Sequence, residues 1–314
     1  LTEYGFVLLL PAGTALQQML KPPPQSLMER SMKIRILALA LTAMGLSPLA
    51  QAQSDNPIVA ANNEIGIAAT GTLMNYQEHI SPAPTYGSDI ESGWMPGFAV
   101  HLSGMNDKLT QNLYFAINYY YSSGGIAYHG STPAEHLNTT DNATTNRVIA
   151  RLGKGFFLSS NAMLTPYVAG GYQNWDRRLQ GPGGYDEHYH SGLVGLGALF
   201  QYAVTPRFVV GVDGQFLAVV GGGIDVPGTV TSSGPYTVSD TGFSGGFGTS
   251  GQERIKISAD YALSRNWHIF GGLNFTHFTY TGTKEYPSLE TISYQGTPIV
   301  QIPGTVREPP SSTN

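Results

Sequence analysis

Nine stretches of this chain alternate apolar and polar residues with a period of two, and that period belongs to strands rather than helices. The clearest runs over 251–263, G-Q-E-R-I-K-I-S-A-D-Y-A-L. Ile255, Ile257, Ala259, Tyr261 and Leu263 fall on one face, and Arg254, Lys256, Ser258 and Asp260 on the other. Such a strand has two different surroundings. Either water meets the charged face and a soluble core the apolar one, or a lumen meets the charges and lipid the apolar side chains. The other stretches lie at 64–77, 93–103, 111–121, 144–156, 164–176, 188–202, 208–220 and 267–281.

The connections choose between these surroundings. Those after the first, third, fifth, seventh and ninth stretches are long and polar, and those between are short. Transmembrane barrels have this asymmetry. Each apolar face spans about nine to eleven positions, the length that crosses a bilayer at a tilt. Trp94, Tyr119, Tyr121, Tyr172, Tyr202, Tyr261, Trp267 and Tyr280 collect toward strand ends, as interfacial girdles do. Only 12% of residues are charged, too few for a sheet with a fully watery outer face. The expected fold is therefore all-β, an antiparallel up-and-down transmembrane β-barrel. Nine strands are read here. Closure calls for an even number, which puts a tenth strand past Asn314, with eight strands as the alternative. Residues 282–314, with Pro287, Pro298, Pro303, Pro309 and Pro310, are read as an extracellular loop cut before the last strand.

An export signal agrees with this compartment. Met32-Lys33-Ile34-Arg35 precedes an apolar run over 36–46, and Ala50-Gln51-Ala52 closes it. That is a basic, apolar and small-x-small order, a signal peptide over 32–52. Residues 1–31 are read as an upstream extension that is not translated, and 53–281 as the barrel. Of the 16 basic and 21 acidic residues, four and two precede Gln53, so the exported part carries a formal charge of −7. Nothing in that balance invites nucleic acid. The chain has no cysteine, so no disulfide stabilises it.

With its signal peptide, amphipathic meander and alternating loops, the chain from 62 to 281 resembles the small outer-membrane β-barrels of Gram-negative bacteria, the opacity-protein and OmpA-like transmembrane domain group. The resemblance implies an outer-membrane location. It implies contact with outer-membrane lipid and lipopolysaccharide, and handling by periplasmic chaperones and the barrel-assembly machinery. It also implies a last strand ending in an aromatic residue that this machinery reads.

The inward faces would carry Glu64, His101, Arg147, Arg151, Asp213, Arg254, Lys256, Asp260 and His268. Their mixed signs point to a lumen filled by ion pairs, because an unpaired charge there is costly. Asp186-Glu187-His188-Tyr189 is similar to a stretch of the omptin outer-membrane proteases, and that likeness would make Asp186 and His188 a catalytic dyad. The plainer reading is a solvated loop edge. No cofactor or metal set is read. The leading function is a structural or surface-interaction barrel, with an extracellular ligand reached through its loops and no catalysis. A narrow porin is the alternative, and an omptin-like protease the third reading.

Overall fold

The computed structural model describes residues 2–6, 56–82, 87–131, 136–181 and 184–314. The signal-peptide reading at 32–52 lies outside the described residues, as do 7–31. Nine long strands form a wall: β1 (Ile65–Glu78), β2 (Ile90–Asn106), β3 (Leu113–Ser131), β4 (His136–Lys154), β5 (Ala162–Arg178), β6 (Asp186–Thr205), β7 (Phe208–Val226), β8 (Ser250–Ala262) and β9 (His268–Tyr280). Each is antiparallel to the next in chain order. The tenth position, between β9 and β1, holds two short segments, Ser311–Thr313 and Thr2–Phe6, each antiparallel to both neighbours. The sheet closes on itself as a ten-position barrel. This corrects two expectations. Eight strands do not describe the wall, and its tenth position is occupied from within the chain rather than past Asn314.

The wall is taller than the periodicity of its apolar face implied. β3 and β4 each have 19 residues, against the shorter stretches 111–121 and 144–156. At about 3.3 Å per residue such a strand is roughly 60 Å long, well beyond a bilayer's hydrocarbon core. The upper halves look like polar loop in the sequence because their outward residues are polar. Those residues instead pair across the ladder: Ser123 with Thr144 at 2.8 Å, and His129 Nδ1 with Asn138 Oδ1 at 2.6 Å. The inward positions Ile126 and Tyr128 remain buried.

The regions expected to be loops, 221–250 and 282–314, also contain strands. Val230–Ser233, Tyr236–Asp240, Tyr286–Tyr294 and Thr297–Val306 build a separate four-stranded sheet, and Phe243–Gly246 adds to β7. Pro298 and Pro303 are tolerated because Thr297–Val306 is an edge strand of that sheet. Pro96 in β2 has a comparable explanation. It lies opposite Gly71 of β1, while the register with β3 is interrupted between Ser92 and Gly97. Gly97 is required by close approach, since a Cβ there would meet the Tyr121 carbonyl oxygen at 2.0 Å.

The barrel is apolar outside and mixed inside. Ile67, Trp94, Leu152, Val168, Leu196, Phe216, Ile255, Ile257 and Phe275 are exposed, Leu196 at 63% and Phe216 at 65%. Their strand neighbours point inward and are buried, among them Tyr114, Arg147, Arg151, Tyr167, Gln215 and Arg254. At the short-turn end a five-residue helix, α1 (Pro57–Ala61), closes the lumen. Asn56 caps it by accepting from the Ile58 N–H at 2.9 Å, and Ile58 is fully buried. Asn62 Nδ2 donates to Gln201 Oε1 at 2.7 Å, and Asn63 bonds the Met105 backbone through both its amide groups.

Candidate functional site in the closed lumen

Three polar layers stack along the lumen. The innermost lies beside α1. His101 Nε2 is 3.6 Å from Glu64 Oε1, and His268 Nδ1 is 2.7 Å from Asp260 Oδ1. Both pairs follow from strand register, which sets Gly66 opposite His101 and Ala262 opposite His268 near the ends of β1 and β8. Glu64, Asp260 and His268 each bring one ligand atom within 4.8 Å of the others, a mixed oxygen and nitrogen set able to hold a divalent cation.

The middle layer joins six strands. Arg151 NH1 lies 2.7 Å from Asp213 Oδ2, and Tyr167 Oη donates to the other oxygen of Asp213 at 2.5 Å. The Arg151 guanidinium also lies 4.8 Å from the centre of the Tyr167 ring. Arg254 donates to Asn274 Oδ1 at 2.5 Å and to Tyr120 Oη at 2.7 Å. Arg147 covers the same Tyr120 ring at 4.7 Å. Lys256 is opposite Asp213 in the β8–β7 register. Glu64, His101 and Asp260 lie in the inner layer and Arg147, Arg151, Asp213 and Arg254 in the middle one.

The outer layer went unread in the sequence. Arg177 is buried and forms ion pairs with Glu78, Glu91 and Glu187, at 3.7 Å for Glu78. Its guanidinium sits among aromatic rings, 5.0 Å from Tyr76, 5.1 Å from Trp175 and 5.8 Å from Tyr189. Trp175, Tyr189, Tyr280 and Phe247 continue as a stack with centroid spacings of 5.0, 5.7 and 4.7 Å. Glu308 caps this layer from a connecting segment. It accepts from Tyr189 Oη at 2.7 Å and Tyr76 Oη at 3.2 Å. Burial, and then the charge of Glu187, push the Glu308 carboxyl up to about 8. Burial also raises Asp89, in the connection before β2. The missed signal was parity: Gln173, Trp175 and Arg177 share the inward face of β5, as do Glu187 and Tyr189 on β6.

Asp186 and His188 stand apart from these layers. Both are half-exposed and each pairs across to β5, Asp186 with Arg178 at 3.2 Å and His188 with Asp176 at 2.9 Å. They share a face, yet each is held by a different partner rather than by the other.

No protein-family model matches the sequence, and no curated protein matches it. Among solved structures the chain is similar to the TodX deltaS2S3 mutant monoaromatic hydrocarbon channel, at 9% identity and a TM-score of 0.29, over 83% of this chain and 92% of that one.

Proposed function

We propose that this chain is an outer-membrane β-barrel that spans lipid with its lower wall and presents its tall upper wall and accessory sheet to the exterior. The inverted distribution of side chains carries this reading. A belt of exposed Ile, Leu, Val and Phe encircles a charged interior. In water that belt would drive aggregation, whereas lipid matches it. The surface role follows from how the lumen is filled. Three layers of paired side chains, with α1 below and Glu308 above, occupy the space a solute would need. Barrels of about this strand number have room for little beyond their own side chains.

A second reading, a narrow gated channel, is favoured by one observation. The plugs come from outside the wall strands: α1 at one end, Glu308 and Phe247 at the other. Planar-bilayer recording of the full chain separates the two. The closed-barrel reading expects no stepwise conductance, and the channel reading expects steps that become larger and more frequent when residues 56–61 are deleted.

A further inference from the structure

The tenth position is the one part of the wall not built from a continuous stretch of chain. Ser311, Ser312 and Thr313 lie opposite Glu78, Gln77 and Tyr76 of β1 and opposite Tyr280, Thr279 and Phe278 of β9. Asn314 extends this by one residue. Its backbone N–H and C=O both bond Asn75, at 2.8 and 2.9 Å. Thr2–Phe6 then runs from Leu73 to Ala69 on β1 and from Phe275 to Gly271 on β9. Between Asn314 and Thr2 a single register position remains, opposite Met74 on one flank and Thr276 on the other. The two flanks agree on that interval and on direction. Two unrelated fragments lodged in one slot have no reason to agree on both, because a slip of one residue reverses every face.

We infer that 311–314 and 2–6 are two parts of one closing strand, separated by a single register position. The slot itself demands an occupant. Without one, 69–73 of β1 and 271–275 of β9 would both present open backbone edges, which are sticky in water and costly in lipid. The occupant is recognised by backbone pairing on both sides, as in strand addition, and its Tyr4 and Phe6 alternate with Glu3 and Gly5 as a wall strand requires. What the barrel needs from 1–6 is its place in the wall. The same strand forms when these six residues directly follow Asn314.

The chain's lack of cysteine makes the test direct. Full chain refolded in detergent micelles carries one cysteine pair at a time and is treated with a short bifunctional thiol reagent. The pairs are Thr2→Cys with Leu73→Cys, Thr2→Cys with Phe275→Cys, and Thr313→Cys with Tyr76→Cys as reference. Thr2→Cys with Ile67→Cys serves as the out-of-register control. The inference expects the three in-register pairs to link in similar yield and the control to link at least fivefold less. Linking of the reference without either in-register Thr2 pair, or linking of none of the three, overturns it. A second chain starts at Met32 and places 1–6 after Asn314. It is expected to keep the heat-dependent gel mobility of a folded barrel, whereas the same chain with those six residues scrambled loses it. Equal behaviour of the ordered and scrambled versions overturns the inference by a different route.

Discussion

The middle and outer layers of the lumen solve the same problem in opposite ways. In the middle, cations outnumber the one carboxylate, Asp213, and are held by neutral groups as well. Arg151 has Asp213, Arg254 has Asn274, and Arg254 and Arg147 share the Tyr120 ring. In the outer layer one cation, Arg177, serves Glu78, Glu91 and Glu187, with Glu308 close by through Tyr76 and Tyr189. Charge there is balanced by a proton kept on the Glu308 carboxyl and by aromatic rings around the guanidinium. The difference teaches that a cation-rich layer held by separate contacts depends on individual pairs, whereas an acid-rich layer gathered around Arg177 depends on that cation and on pH.

The comparison breaks most visibly at Arg177. Arg177→Leu leaves several buried carboxylates without their counter-charge and is expected to cost about 4–5 kcal/mol, the upper range for breaking buried ion pairs. Urea unfolding in micelles measures this. In the middle layer Arg151→Leu is expected to cost about 3 kcal/mol, and adding Asp213→Leu should recover most of it, since an apolar pair replaces an ionic one at little net cost. No single added substitution is expected to rescue Arg177→Leu. A successful rescue by Glu187→Leu alone would mean the outer layer is also a simple pair.

The pH response sharpens the contrast further. Glu308 titrates near 8 in the folded state and at its ordinary 4.5 when unfolded, so the folded form holds the extra proton between these values. Its contribution is fully present below pH 4.5 and is lost as pH rises through 8. Thermal unfolding followed from pH 5 to 9 should show this decline, and Glu308→Gln should flatten it. At the small end, His188→Ala removes only a half-exposed pairing with Asp176 and should change stability by less than about 0.5 kcal/mol.

Much of this molecule is written in its alternation. The faces of 251–263 or 144–156 follow directly from period two, and so do the lumen positions Arg147, Arg151, Asp213 and Arg254. The outer layer escaped because above the apolar belt the outward residues turn polar. There Ser123, His129 and Asn138 look like loop, although Tyr128 and Arg177 still point inward. The accessory sheet escaped because its strands are short and rich in Ser, Thr and Pro, and are set by pairing between two distant connections. The closing strand could not be read at all, since its parts stand at opposite ends of the chain and only the register of β1 and β9 aligns them.

The most direct test of the inside-out barrel uses its three tryptophans. Trp94 is exposed on the apolar belt and Trp175 is buried beside Arg177. Variants that keep one of these, the others replaced by Phe, are reconstituted in vesicles of brominated-chain lipid and their fluorescence compared with unbrominated vesicles. The barrel described here predicts strong quenching of Trp94 and little of Trp175. Equal quenching of the two, or none of Trp94, would contradict it.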